Sequence, residues 1–387
     1  MKQNLFYFGL ESVKSRYTYQ LCEEWIPDTF KKYKDKINFI PLYGSETKAT
    51  DIKVGCVLDA VGRGIYSLQQ CEQMLQYINN GTVQKGDIIY LQDFWTPGIE
   101  SIFYALDLYK IKDIKVYAML HAQSVDEYDF TYPMRDWMRW YELGLDKKLT
   151  GIFVGCDIHK QQLINAGFTC KIHVVSLPIH IEYVKRVYDN INTQKENIVI
   201  FSSRLDWEKN PIFMINVARQ FLKEHLDWKW IYTTSGSSVR SNDNIVLDEI
   251  NKLAKENDRF IIKSSLKKEE YYELLSKAKI QFNSSLQDYI SWTVIEASIF
   301  GCDIVYPNFR SFPEFISSDR LYVPFKLESA IKYLNNAILH PQIHYDIADI
   351  SDLGRKLEGY IMSNGIDREV NIWNEYEYFK TILNNER

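Results

Sequence analysis

Two groups of residues in the second half of this 387-residue chain have the types and spacing of an anion- and hydroxyl-binding site. The first is Arg204 and Lys209 in the segment 201–211, FSSRLDWEKNP, where an apolar run ends, a short loop carries both cations and Pro211 opens a helical pattern. A strand end, two cations and a helix N-terminus together favour a phosphate, because backbone amides and the helix dipole add to the side-chain charge. Arginine supplies a forked contact and lysine a point charge. Taken alone, such a pair also suits a solvated surface loop. The second group lies in 284–307, SSLQDYISWTVIEASIFGCDIVYP. Here Asp288 follows a strand, Ser291, Trp292 and Thr293 open a helix, and Glu296 lies one turn on. Singly, Asp288 could cap the helix and Glu296 could complement its dipole. Together with the cations they offer more: amides at 291–293 facing a diphosphate, and carboxylates on either side accepting hydrogen bonds from sugar hydroxyls. That is nucleotide-sugar chemistry.

Such residues need rigid supports, and the hydrophobic pattern predicts them. Short runs rich in Val, Ile, Tyr and Phe occur at 4–10, 37–43, 87–92, 114–120, 151–155 and 171–176, then at 197–203, 228–234, 259–264, 279–285 and 302–307. They are apolar on both alternating faces, as strands inside a parallel sheet must be. Helical spacing fills 17–34, 66–79, 98–109, 158–166, 210–225, 245–255, 267–277 and 292–300. The alternation predicts an α/β protein of two doubly wound, Rossmann-like domains facing across a cleft. The polar stretch 188–197 reads as a linker. It divides the chain into an acceptor-binding domain over 1–188, a nucleotide-sugar-binding domain over 189–365, and a C-terminal helix over 366–387 that packs back on the first domain.

Composition bounds the partners. There are 46 Lys+Arg and 51 Asp+Glu, a net charge of −5, with 46% hydrophobic and 14% aromatic residues. This excludes a disordered polyelectrolyte, a collagen-like chain and a histone-like polycation. Six cysteines without a CxxC or a zinc-like Cys/His grouping predict reduced, mostly buried thiols and no metal site. The N-terminal apolar run is short and followed by Glu11, Lys14 and Arg16, so it reads as a buried strand and not a leader. With no run of 18 apolar residues, no membrane span is expected, and the location expected is cytoplasmic.

In the first half, ligand-facing residues should sit at the carboxyl ends of the strands. Gly9 and Arg16 follow the first strand, Asp93 and Trp95 the third, and His121 the fourth. Arg16 suits an exposed helix surface equally well, and a strand-end histidine is often structural. The segment 122–142 reads as an acceptor loop, with Asp126, Asp129, Arg135 and Arg139 among aromatics that stack on rings.

The second half resembles the donor-binding half of retaining glycosyltransferases of the GT-B architecture, in particular glycosyltransferase family 4. The residues that carry this are Arg204-Leu205 with Lys209-Asn210, the spacing Asp288 to Glu296, Glu296-Ala297 through Gly301, Ile304-Val305, and Phe312-Pro313-Glu314, over most of 197–320. The resemblance implies that Arg204 and Lys209 hold the diphosphate, that Asp288 touches the transferred sugar, and that Glu296 binds the ribose. His121 would also contact the sugar, with Gly9, Ser203, Ser291, Trp292 and Thr293 completing the donor set. It implies transfer with retention, no cofactor beyond the co-substrate (a UDP-sugar), and no metal, in keeping with the absence of a DxD motif. Asp288 stands where glutamate is usual, and Tyr289 and Trp292 stand in a normally glycine-containing stretch.

A second resemblance, over most of 5–180, is to predicted glycosyltransferases of tailed bacteriophages. It rests on Tyr7-Phe8-Gly9-Leu10, Arg16-Tyr17-Thr18, Asp93 through Glu100, Leu120-His121-Ala122 and Asp129-Phe130. It implies a hydroxymethylated pyrimidine, such as hydroxymethylcytosine in double-stranded DNA, as acceptor, reached by flipping the base. Lys31, Lys32, Lys34 and Lys36 could then touch the backbone, or simply form a solvated helix end. Residues 1–180 hold 20 Lys+Arg and 21 Asp+Glu, a charge of −1, which permits DNA without favouring it. The alternatives are transfer to a cell-surface polysaccharide or lipopolysaccharide, a GT-B-fold epimerase, or a non-catalytic nucleotide-sugar binder.

Overall fold

The computed structural model describes residues 2–11, 17–45, 60–121, 124–129, 131–176, 179–189, 191, 193–234, 239–241, 243–289, 291–343 and 361–362. The first half runs β1 (Gln3–Phe8), α1 (Tyr17–Tyr19), a π-helical stretch (Gln20–Trp25), α2 (Ile26–Lys31), β2 (Ile37–Leu42), α3 (Ala60–Asn79) and β3 (Ile88–Leu91). It continues through α4 (Ile99–Leu108), β4 (Lys115–Met119), α5 (Arg135–Asp146), β5 (Gly151–Val154), α6 (Asp157–Asn165), β6 (Lys171–Val174) and α7 (Ile181–Asp189). The second half holds β7 (Glu196–Ser202), α8 (Pro211–Glu224), β8 (Lys229–Thr234), α9 (Asn244–Glu256), β9 (Phe260–Ser264), α10 (Lys268–Lys277) and β10 (Ala278–Phe282). It closes with α11 (Trp292–Ile299), β11 (Asp303–Pro307), β12 (Leu321–Tyr322) and α12 (Leu327–Leu339).

Each half builds one six-stranded sheet, ordered β2-β1-β3-β4-β5-β6 and β12-β11-β10-β7-β8-β9. Every strand pairing is parallel. The eleven runs expected from sequence are β1 to β11, and they are apolar throughout because such strands are covered on both faces: β3 and β5 bury all four of their residues and β11 all five. The two-residue edge strand β12 matches none of those runs. Strand order reverses between β1 and β3 in one sheet and between β7 and β10 in the other. Those are the crevices where doubly wound sheets bind ligands, outside the carboxyl ends of the strands.

One apolar cluster crosses from sheet to sheet. It includes Leu21, Trp25 and Phe153 of the first half with Ile200, Tyr272, Ile295 and Ile304 of the second. Trp25 packs on Trp292 with ring centroids 5.6 Å apart. The helix expected over 366–387 lies outside the described residues, but Ile361, just before it, is buried in this shared cluster.

Two local expectations need correction. The loop anticipated over 122–142 ends in a helix: Arg135–Asp146 is α5, and its buried residues are Met138, Glu142, Leu145 and Asp146. Two of those four are acids, so the inward stripe carries no apolar signature, while Trp137 and Trp140 are 57% and 71% exposed. The third helix begins at Ala60 and not near 66. Among the described residues no helix is long and apolar enough to cross a membrane. The described cysteines are free, with Cys22, Cys71, Cys156 and Cys302 buried and Cys170 half-buried.

Candidate functional site

The two motifs of the second half, about eighty residues apart in the chain, meet at the β7/β10 crevice. After β7 ends, Ser203 and Arg204 lead into a 3-10 turn (Trp207–Lys209), and Asn210, at φ 50°, bends the chain left-handed into Pro211 at the start of α8. The loop leaving β10 is stitched to this turn: Leu286 N–H donates to the Glu208 carbonyl at 2.7 Å, and Ser284 Oγ donates to the Lys209 carbonyl at 2.8 Å. These bonds place Lys209 against Asp288. Its Nζ lies 3.0 Å from Asp288 Oδ2 and donates to the Gln287 carbonyl at 2.7 Å, with the residue only 7% exposed. Arg204 is half-exposed and forks between Asp206 (2.6 Å) and Glu208 (3.0 Å). Burial raises the pKa of both of these carboxyls, and the cations beside them pull the other way.

The helix that follows completes this wall. Ser291 is the N-cap of α11, yet its hydroxyl pairs with Thr293 Oγ1 at 2.7 Å and makes no side-chain bond to the helix backbone. Thr293 Oγ1 in turn meets the Tyr306 hydroxyl at 3.3 Å. The start of α11 is thus left without a side-chain cap, and the positive end of its dipole points to the crevice side of the helix start. Glu296 is buried, ion-paired with Lys268, and accepts from the Tyr272 hydroxyl at 3.2 Å. Lys268 also lies over the Tyr271 and Tyr272 rings, 5.1 and 4.9 Å from their centroids.

The facing wall comes from the β1/β3 crevice. Arg63, on α3, is buried and pairs with Glu11 after β1 (2.7 Å) and Asp93 after β3 (3.5 Å), and donates to the Trp95 carbonyl at 2.8 Å. Asp93 Oδ1 also accepts from the Trp95 amide at 3.1 Å. His121 Nε2 lies 2.9 Å from the Gln92 carbonyl. A carbonyl can only accept, so Nε2 carries the hydrogen and Nδ1 of the neutral ring is an acceptor. Burial lowers the His121 pKa, which favours that neutral ring, and Asp93 only partly opposes it. Gly9 serves packing: a Cβ there would meet the Tyr43 ring at 3.1 Å, and Gln70 donates to its carbonyl at 2.8 Å.

The expected acceptor residues are not gathered in one place. Trp95 lies 4.9 Å from Tyr141 and edge-on to Trp137 at 5.9 Å, and its indole N–H donates to the buried Glu142 at 3.3 Å. Arg135 stacks over the Tyr132 ring at 4.3 Å, and Arg139 donates weakly to the Ala166 carbonyl at 3.4 Å. Asp129 accepts from the Thr131 amide and hydroxyl at 2.8 and 2.7 Å. Asp126 faces the second domain, where Arg310 and the Tyr289 hydroxyl reach it at 2.6 and 2.7 Å. Arg16 lies outside the described residues.

Sequence reasoning did not single out Arg63, Lys268 or Arg310. Arg63 lies in a polar stretch with no pattern around it, and Lys268 sits in a KKEE run that reads as a solvated helix start. Tyr289 and Trp292, the bulky departures from the usual glycines, both turn to the first domain: Tyr289 stacks on His159 with centroids 3.7 Å apart and planes 12° apart, and Trp292 packs on Trp25.

His159 gives a prediction about pH. It is fully buried with neither ring nitrogen hydrogen-bonded, and burial pulls its pKa from 6.5 down to about 3. The unfolded chain therefore binds a proton that the folded chain refuses, so stability falls as pH drops from about 6.5 towards 3. The slope is at most roughly 1.4 kcal/mol per pH unit. Urea unfolding across that window should show His159→Phe losing this one-proton dependence while gaining stability below pH 6.

No family model matches the chain, and no curated protein does. In three dimensions it is similar to the pneumococcal O-GlcNAc transferase GtfA in complex with UDP and GlcNAc (TM-score 0.55, 14% identity, 75% of this chain and 58% of that one). It is similar to S. aureus TarM in complex with fondaparinux, α-GlcNAc-glycerol and UDP (TM-score 0.55, 15% identity, 76% of this chain and 58% of that one). The chain thus spans about 58% of the length of either protein. It is also similar to Anabaena HepE in complex with UDP and glucose (TM-score 0.61, 12% identity), there over 94% of this chain and 100% of the other. At such identities the likeness carries the fold: two Rossmann-like domains with six-stranded parallel sheets, in the GT-B architecture.

Proposed function

We propose that the protein is a retaining, metal-independent glycosyltransferase that moves a sugar from a UDP-sugar to a hydroxyl acceptor. The observation that carries this reading is Lys209 held against Asp288, beside the N-terminus of α11 and Glu296, at the β7/β10 crevice. The diphosphate would draw Arg204 and Lys209 from their present acid partners, and the α11 amides would add their dipole. Glu296 would accept from the ribose hydroxyls. Asp288 and His121 Nδ1 would accept from hydroxyls of the transferred sugar. The bond from the anomeric carbon to the β-phosphate oxygen breaks as the acceptor oxygen bonds to the same face of that carbon. The acceptor proton passes to a donor phosphate oxygen, and UDP departs. No nucleophilic side chain takes part, so mass spectrometry should detect no covalent glycosyl-enzyme, and EDTA should leave the rate unchanged.

For the acceptor, the reading is a hydroxymethylated pyrimidine in DNA. What supports it is α5, where exposed Trp137 and Trp140 stand beside Arg135 and Arg139 next to Trp95. Aromatic and cationic side chains on one exposed helix suit an unstacked strand, each stacked base being worth about 1–3 kcal/mol. Replacing Trp137 and Trp140 together by Ala should therefore weaken binding of a hydroxymethylcytosine oligonucleotide about tenfold or more, with UDP affinity unchanged. Equal oligonucleotide binding by the variant, or sugar transfer to a glycan and not to DNA, would refute this acceptor.

A further inference from the structure

We propose that Asp126 and Tyr289 form a clasp across the cleft that holds the donor loop in register, which makes both of them positioning residues for the transferred sugar. The inference rests on the nucleotide-sugar reading above and adds how that site is assembled. Asp126 belongs to the first domain and is 1% exposed. Its Oδ2 accepts from the Tyr289 hydroxyl at 2.7 Å, and its Oδ1 from Arg310 at 2.6 Å and from the Tyr128 amide at 3.1 Å. Tyr289 and Arg310 both come from the second domain. A carboxylate so deeply buried is stable only while those partners stay. Opening the cleft would remove both.

Tyr289 is the residue after Asp288, so whatever fixes its ring limits where the Asp288 carboxylate can go. The ring is fixed twice, by the hydroxyl bond to Asp126 and by the face-to-face stack on His159 in α6. From its own domain the same loop is held by Lys209 on the Gln287 carbonyl and by Ser311 Oγ on the Asp288 carbonyl at 2.6 Å. The loop therefore has polar restraints from both domains, whereas the side chains of Arg204, Lys209 and Glu296 take their polar partners from the second domain. Contact of their elements with the first domain is aromatic, through Trp207 on Tyr128 and Trp292 on Trp25. A second contact favours the same closure: the Glu314 carboxylate accepts from the Asp157 and Ile158 amides at the start of α6, at 2.8 and 2.9 Å. The consequence is a division of labour. Residues of one domain hold UDP, and the sugar is gripped only once the domains close.

The test uses the full chain with Tyr289→Phe, which removes the hydroxyl but keeps the ring stack, and Asp126→Asn, which weakens the Arg310 pair as well. UDP affinity measured by calorimetry should stay within about twofold of wild type. Turnover of the UDP-sugar should lose roughly tenfold or more in kcat/KM, the worth of one hydrogen bond to a buried charge. Small-angle scattering of the free variants should show a larger radius of gyration. Unchanged kcat/KM for Tyr289→Phe would overturn the clasp, as would equal losses of UDP and UDP-sugar binding. If the wild type binds neither ligand, the nucleotide-sugar reading fails separately, and the scattering then decides: an unexpanded Asp126→Asn variant overturns the clasp.

Discussion

Lys209→Met should reduce sugar transfer by roughly two to three orders of magnitude, the loss typical when one preorganised donor to a developing charge is removed. Methionine keeps the length and apolar stem of the side chain, so the effect isolates the ammonium. Its Nζ has two contacts in place, the Gln287 carbonyl and Asp288, and both sit on the loop that faces α11. The ammonium thus already lies at the crevice and has only to turn from Asp288 to the arriving diphosphate. It also holds Asp288, so its loss should raise the donor KM as well as lower kcat. Steady-state kinetics on a variant with an unchanged circular dichroism spectrum provide the check. A Lys209→Met enzyme within threefold of wild type would remove the residue from the mechanism.

The largest effect on stability is expected at Arg63. Arg63→Met leaves the buried Glu11 carboxylate, and the half-buried Asp93 beside it, at the β1/β3 crevice without their shared cation. Breaking a buried pair in this way costs about 3–5 kcal/mol, because the remaining charge has neither partner nor water. This one guanidinium, 7% exposed, bridges α3 to the ends of both β1 and β3, beside the bonds that Tyr66 and Gln70 make to the Leu10 and Gly9 carbonyls. Urea unfolding should record the loss, and adding Glu11→Gln to Arg63→Met should restore part of it by removing one stranded charge. A loss below about 1 kcal/mol, with no coupling between the two sites, would mean that the cluster is solvated and not buried.

What the sequence makes legible is whatever follows from burial on both faces of a strand. The runs around Ile89, Ile152, Ile200 and Ile304 are apolar on both sides, so β1 to β11 and their parallel sense are readable before any coordinates, whereas β12, only two residues long, leaves no such run. The gathering of Arg204, Lys209, Asp288 and Glu296 at one crevice is readable for a related reason: they sit at fixed offsets from strand ends and helix starts, and those offsets are local. Helix α5 is not readable because its buried stripe includes Glu142 and Asp146, satisfied by Ser124, Trp95, Thr169 and Cys170 from elsewhere in the chain. Asp126 illustrates the same limit. Its loop carries the polar and aromatic composition of an acceptor site, yet its partners, Tyr289 and Arg310, lie more than 160 residues away. Arg63 is invisible in sequence because a buried cation between two carboxylates leaves no periodicity.

Sugar transfer itself can be followed by incubating the protein with a panel of UDP-sugars and hydroxymethylcytosine DNA, measuring released UDP and determining the anomeric configuration of the product by NMR. UDP release should depend on Lys209, with the sugar linked in the same anomeric configuration as in the donor. A product of inverted configuration, or no UDP released from any donor with any hydroxyl acceptor, would contradict retaining transfer from a UDP-sugar.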